Sequence, residues 1–400
     1  MATVRSFARC WFPAAQRTPT QRRLLASIQT DFPISESEST LRIGYLIDTN
    51  HGYYDQPLPE PANAADVLDA MIEEGILAEQ SGFHSIQVPD RHGRTESYFG
   101  SPLNLLMILA RETSRVAIGS YCLVNTLYHP MEVAEQCAII DNISKGRLYM
   151  TWGRGFHAGY WGQFGVPHER MLGRYLENVA IIDKALQSKG ERFSWDGDFY
   201  QVNDGLLSPN SYQQPRFPFW GGGQLPAAIE RCGVYAESWT CDDFPILKEV
   251  WDQQAGAYRA RAIEHGKEPF IVLMRKAWVA DTFEQAAEQY GSHYVPEMRF
   301  YCEQGILAHH PEFDSPEKIT TESAREHIVV GSPAQCRERL EQYHEELGVQ
   351  YFTVQFRMVT GPSFEATREQ IQRFGEEVVQ PLHRKYPAPD HPAIPEACRW

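Results

Sequence analysis

Leu148-Tyr149-Met150-Thr151-Trp152 runs into Gly153-Arg154-Gly155-Phe156-His157-Ala158-Gly159-Tyr160-Trp161-Gly162, and the reading of this junction decides the fold. A strand-like apolar run followed by glycines at 153, 155 and 159 mimics a dinucleotide-binding turn. In an open doubly wound sheet that turn follows the first strand and opens its helix at once. Here it follows the fourth strand, and the next helical pattern waits until about Glu169. The loop after the first strand, Asp48-Thr49-Asn50-His51-Gly52, has no such glycines. The open sheet is therefore rejected. The junction itself has two readings: an arginine between glycines that grips an oxyanion beside flat rings, as a phosphorylated flavin requires, or an arginine-anchored turn with packed aromatics.

Outward from this point, strand and helix patterns alternate. Strands are expected at Arg42–Ile47, His84–Val88, Arg115–Cys122, Arg147–Trp152, Phe217–Gly221, Ala236–Thr240, Phe270–Val279 and Gln350–Phe356. Amphipathic segments fall between them at Ala64–Gln80, Pro102–Thr113, Glu132–Ile143, Glu169–Gln187, Pro226–Arg231, Pro245–Glu264, Phe283–Tyr294 and Pro333–Glu346, with Phe364–Val379 last. Glycine just past a helix recurs at Gly82, Gly146 and Gly348. Eight strands, each followed by a helix, predict an α/β fold, a closed (β/α)8 TIM barrel over 41–382 with an irregular insertion, 296–327, before the last strand. Residues 1–40 read as an extension and 383–400 as a Pro-rich tail.

A barrel places its chemistry at the C-terminal strand ends. Those ends hold Asp48, Asn50 and His51; Asp90, Arg91 and His92; Cys122 and Asn125; Arg154 and His157; Gly221 to Gln224; Trp239; Trp278; and Arg357. The stretch Phe217-Pro218-Phe219-Trp220-Gly221-Gly222-Gly223-Gln224-Leu225-Pro226 runs a strand through glycines into a helix with an early proline. Its N–H groups and helix dipole could cradle phosphate, or it could be a tight turn and nothing more. Ser332-Pro333-Ala334-Gln335 reads as a capping box, His129-Pro130 as a local turn, and His309-His310 as an exposed pair. Asp90 and His92 lack a second His/Asp cluster, so no metal site is expected.

Apolar residues make up 42% of the 400, enough for a large core. A net charge of −15 and a pI near 5.4 argue against nucleic acid or an anionic membrane as partner. Eight cysteines without Cys-x-x-Cys spacing suggest reduced thiols and a cytoplasmic location. The first thirty residues hold five arginines and no acid, which resembles a transit peptide or a disordered basic arm.

The block from Ile118 to Pro130, through Glu132-Val133-Ala134-Glu135-Gln136 and Asp141 to Arg147, into Gly153-Arg154-Gly155, resembles the bacterial luciferase-like, flavin-dependent monooxygenase family. Gly221-Gly222-Gly223, Gly331-Ser332-Pro333 and Glu376 to Pro381 add weaker matches. The resemblance implies a barrel, usually dimeric through early helices, that takes reduced FMN from an NAD(P)H-dependent flavin reductase. Oxygen would form a flavin hydroperoxide that oxygenates a small-molecule substrate. Arg154 with Gly155 matches the phosphate-binding arginine, and Gly221, Gly222, Gly223 and Gln224 a second phosphate contact. His157 matches a position beside the flavin. Tyr121-Cys122 matches a non-proline cis peptide against the ring, and Asp90 and Asn125 fall in the cofactor-facing blocks. Where relatives with luciferase chemistry carry Glu-His-His, this chain has Asp90-Arg91-His92. Arginine cannot act as a base near neutral pH, which speaks against light emission and leaves His92 as the proton shuttle. Arg91 would bind an anionic substrate or peroxide charge, and Tyr160, Trp161, Trp239 and Trp278 would exclude water. The alternatives are a deazaflavin-dependent oxidoreductase of the same superfamily and a non-catalytic flavin-binding subunit.

Overall fold

The computed structural model describes residues 40–53, 63–155, 158–307 and 310–400, with Ala158 by its backbone alone. The expectations placed on 1–39, Phe156, His157 and His309 lie outside the described residues. Among the described residues, eight parallel strands close a barrel: β1 (Arg42–Leu46), β2 (Ser85–Val88), β3 (Ala117–Ser120), β4 (Leu148–Gly153), β5 (Phe219–Gly222), β6 (Ser238–Cys241), β7 (Ile271–Val279) and β8 (Tyr351–Gln355). Each pairs with the next, and β8 returns to β1 through Arg42↔Tyr351 and Tyr45↔Val354. All eight expected strands are present, each within two residues at either end.

Helices cover the outside: α1 (Ala64–Gln80), α2 (Pro102–Glu112), α3 (Pro130–Ser144), α4 (Met171–Leu186), α5 (Pro226–Tyr235), α6 (Lys248–Glu264), α7 (Phe283–Glu303), α8 (Pro333–Leu347) and α9 (Phe364–Phe374). Ser332 and Gln335 form the expected capping box of α8, which Gly348 ends in the left-handed conformation at φ 64°. His129 caps α3 by accepting from the Met131 N–H at 3.3 Å.

Strand alternation sends one set of side chains inward. Leu46, Ala117, Tyr149, Trp220, Val272, Met274 and Tyr351 fill the barrel as one buried layer. Gly119 makes room for this packing: a Cβ there would lie 2.6 Å from the Tyr149 ring. The insertion between β7 and β8 is more ordered than expected. α7 continues through Pro296 to Glu303, and a short strand, Val329–Gly331, pairs with the end of β7. Leu307, Phe313, Ile319, Ala324 and Ile328 are buried and anchor the segment that follows α7. His310 is likewise buried, not exposed, with its ring 5.0 Å from Phe313 and 5.3 Å from His327.

The C-terminal tail closes the opposite, N-terminal end of the barrel. Ala393, Ile394 and Cys398 pack into the layer of Trp220, Phe270 and Tyr351. Trp220 Nε1 donates to the Ala393 carbonyl at 2.7 Å, and His84 Nε2 lies 2.7 Å from the Cys398 carbonyl. Arg42 reaches the carbonyls of Tyr386 and Pro387, each at 3.1 Å. Among the described residues this end is therefore plugged, and the C-terminal strand ends open at the other.

Candidate active site

The register Trp152↔Gly221 sets β4 beside β5, so Arg154 and the turn Gly221–Gln224 emerge next to each other at the C-terminal mouth. Arg154 is exposed, and among the described residues its guanidinium has no partner; its carbonyl accepts from Thr126 Oγ1 at 3.2 Å. The glycine turn is braced through other groups. Trp239 Nε1 donates to the Gly223 carbonyl at 2.8 Å, Gln254 Nε2 to the Gln224 carbonyl at 3.1 Å, and Gln224 Nε2 to Asp242 at 2.6 Å. The N–H groups of Gly223, Gln224, Leu225 and Ala227 then find no acceptor among the described residues. Free amides at the start of α5 beside an unpaired arginine make an anion cradle.

Tyr121–Cys122, at the end of β3, is joined by a cis peptide bond. Cys122 wedges between the two glycine segments: a Cβ at Gly153 would lie 2.8 Å from its Cβ, and one at Gly222 would lie 2.8 Å from its Sγ. Burial, then Asp242, pushes the Cys122 thiol well above its ordinary pKa, so it stays protonated and neutral. Tyr121 is buried and donates to the Cys241 carbonyl at 2.5 Å. Tyr121, Cys122, Arg154, Gly155 and Gly221 to Gln224 thus converge on one side of the mouth.

The end of β2 divides its three candidates. His92 Nε2 sits 2.5 Å from Asp90 Oδ1 and 3.0 Å from the Tyr128 hydroxyl, which in turn donates to Asp90. Asp90 Oδ2 accepts the Val124 N–H at 2.9 Å. This buried network pins the turn after β3, and the His92 ring lies 4.8 Å from Phe164. Arg91 points differently: its side chain is 24% exposed and lies 4.0 Å from Asp48. Burial opposes its charge, but Asp48, then Tyr301 and Tyr160, outweigh that and hold its pKa above the ordinary value. Asn125 is fully buried, its amide 3.0 Å from Asn178 on α4.

The four aromatics expected to exclude water are divided by their packing. Trp239 and Trp278 face the helices, stacked on Trp251 at 5.3 Å and Tyr290 at 5.4 Å, while Tyr160 and Trp161 pack with Val124, Leu127 and Met171. Trp239 and Trp278 are taken up by those stacks, whereas Tyr160 lies beside Arg91 and 5.9 Å from the His92 ring. Arg357 is buried against Glu74, and His51 stacks on Phe364.

The residues that do face inward near the mouth were missed. Lys276 on β7 donates to Gln355 Oε1 at 2.7 Å and pairs with Glu297 at 3.1 Å and Asp243 at 3.6 Å. Burial opposes the lysine charge, but Glu297 and Asp243 raise its pKa overall. Asp242, at the end of β6, is exposed to solvent although protein groups surround it. Loss of bulk water, then Asp243, lifts its carboxyl to about 6 against the pull of Gln224, Arg91 and Lys276. A sequence signal existed for two of these: Arg275-Lys276 interrupts an apolar strand, and Asp242-Asp243 follows a strand directly. Glu297 comes from α7, which no local pattern ties to the mouth.

The cradle fits a flavin phosphate, because its donors are one guanidinium and several amides with no acid paired to them. Luciferase-like monooxygenase is the family description that matches residues 42–351. The oxygenase component of the flavin-dependent trigonelline monooxygenase of Acinetobacter baylyi is 26% identical over 338 residues, 78% of this chain and 89% of that protein. The fold is shared with the oxygenating constituent of 3,6-diketocamphane monooxygenase from Pseudomonas putida, solved with FMN (TM-score 0.70, 15% identity, 85% of this chain and 98% of that one). It is shared too with the coenzyme F420 dependent tetrahydromethanopterin reductase of Methanopyrus kandleri (TM-score 0.64, 17% identity, 86% and 99%). With the barrel closed, the cradle formed and the match spanning β1 to β8, this chain belongs to the luciferase-like monooxygenase family.

Proposed function

We propose that this chain is the oxygenating member of a two-component system: it takes reduced FMN from an NAD(P)H-dependent flavin reductase and uses O2 to oxygenate a small organic substrate. The observation that carries the reading is the cradle of Arg154 and the free amides of Gly223, Gln224, Leu225 and Ala227. When bound, reduced FMN supplies the electrons that activate oxygen. The protein's own part is to hold the phosphate, to place the ring against Tyr121–Cys122, and to keep His92 within the Asp90–Tyr128 network as a proton carrier. Arg91 and Lys276 supply fixed positive charge near the reacting end. FMN is favoured over a deazaflavin by the flavin-dependent relative and its long alignment. A homodimer through α2 and α3 is supported by exposed Ile108, Ile139 and Ile143 on those helices. Seven free described cysteines suit a reducing cytoplasm.

Arg154→Ala is expected to weaken FMN binding ~10–100-fold, the loss of a charge-assisted contact worth about 1.5–3 kcal/mol. Circular dichroism should stay unchanged, since the side chain is exposed. A flavin titration checks this, and equal affinity in both proteins would remove the phosphate assignment. The oxygenation itself is tested with FMN, a flavin reductase and isotopically labelled O2 on a substrate panel: one labelled oxygen in a product supports it. Turnover only with a deazaflavin and without oxygen would replace it.

A further inference from the structure

We propose that Thr126 is a positioning residue: its hydroxyl aims Arg154 at the flavin phosphate and so sets the preference for a phosphorylated over an unphosphorylated flavin. The proposal rests on the flavin reading above and adds a residue that acts through Arg154. The Arg154 guanidinium has no partner among the described residues, so the backbone beneath it determines where it reaches. That backbone is pinned before and after. Before Arg154, the pairs Leu123↔Trp152 and Val124↔Gly153 hold the end of β4 against the segment that follows β3. After it, Gly155 takes the left-handed conformation at φ 81°, where a Cβ would lie 2.7 Å from Val124 Cγ1. At Arg154 itself, the hydrogen bond that fixes the peptide comes from Thr126 Oγ1 to its carbonyl, at 3.2 Å.

The bonding of Thr126 has one possible sense. Trp161 Nε1 can only donate, and it reaches Thr126 Oγ1 at 3.3 Å; the Arg154 carbonyl can only accept. The hydroxyl therefore accepts from Trp161 and gives its own proton to Arg154. Thr126 is buried and itself anchored. It lies in the turn Asn125–Leu127, which the Asp90 carboxylate holds at the preceding Val124 N–H, 2.9 Å away. Asn125 ties the same turn to Asn178 of α4 at 3.0 Å. A hydroxyl on so constrained a turn orders the Arg154 backbone before any ligand arrives, and such preorganisation raises affinity by lowering the ordering cost. Valine nearly matches the shape of threonine but would leave a buried N–H and a buried carbonyl unpaired.

The test is a fluorescence titration of the whole protein with FMN and riboflavin, probes that differ by the phosphate alone. The unmodified protein should bind FMN at least ~10-fold more tightly. Thr126→Val should cut that preference about 3–10-fold and leave riboflavin affinity unchanged. Thr126→Ser, which keeps the hydroxyl, should restore it; Thr126→Ala takes the place of valine if that protein does not fold. In an Arg154→Ala background Thr126→Val should lower the preference no further, because the hydroxyl acts through that arginine. Full FMN preference in Thr126→Val, an equal loss of riboflavin affinity, a serine protein as weak as the valine one, or additive effects of the two changes would each overturn the proposal. The unmodified protein separates the two readings. Equal binding of FMN and riboflavin there sinks the phosphate cradle itself, whereas a preference for FMN that Thr126→Val leaves intact sinks only this inference.

Discussion

A chain cut after Tyr386 should lose on the order of 5 kcal/mol of stability, comparable to the whole margin of many domains. Two losses add up. Ile394, Ala393 and Cys398 leave the buried layer of Trp220, Phe270 and Tyr351, and one large aliphatic side chain removed from such packing costs about 2–5 kcal/mol. Buried donors also lose their acceptors: Trp220 Nε1 loses the Ala393 carbonyl, His84 the Cys398 carbonyl, and Arg42 the Pro387 carbonyl. Each orphaned donor costs about 1–3 kcal/mol, partly relieved where water enters. Arg42 has little reserve, since burial already lowers its pKa to about 10. Urea unfolding checks the prediction. Ile394→Ala should reproduce only part of the loss, about 2–4 kcal/mol, and a truncated protein with an unchanged midpoint would show that the tail is decoration.

Glu74→Ala should be nearly as damaging for a different reason. Glu74 is fully buried on α1, accepts from Tyr45 at 2.7 Å and pairs with Arg357 Nε at 3.3 Å. Arg357 also donates to the carbonyls of Asn50, at 2.6 Å, and Asp48, so it stitches β8 to the loop after β1 at the rim of the mouth. Removing the carboxylate leaves a buried guanidinium without a counter-ion, at a cost of about 3–5 kcal/mol. Replacing both partners by apolar residues of similar size, Glu74→Leu with Arg357→Met, should recover most of it. The discriminating measurement is that comparison by denaturant unfolding: a double variant as unstable as the single one would mean that geometry, not charge, holds the pair.

The strand register was legible because a barrel strand is a short apolar run between a helix-stopping glycine and a polar loop, and eight such runs recur here. Spacing alone placed Arg154 and the glycine turn on neighbouring strands, where the structure has them. Helix lengths were less legible. α7 ignores the signal of Pro296 because Met298 and Cys302 beyond it are buried and give the helix reason to continue. The tail was opaque, since proline-rich composition says nothing of the hole it fills. Inner and outer faces were opaque too: aromatic residues at strand ends looked like mouth residues, but alternation sent Trp239 outward and left Asp242 inward, and Trp278 lies where the end of β7 pairs with Val329–Gly331 and packs on Tyr290 of α7. Asp90 and His92 were readable as a pair at a strand end, whereas Tyr128, which completes their network, comes from another loop.

The flavin reading stands on one cradle, and a crystal soaked with FMN tests it most directly. The phosphate should appear between the Arg154 guanidinium and the amides of Gly223, Gln224, Leu225 and Ala227, with the ring plane against Tyr121–Cys122. Phosphate bound elsewhere, with those amides still facing solvent in an FMN-saturated crystal, would contradict the account.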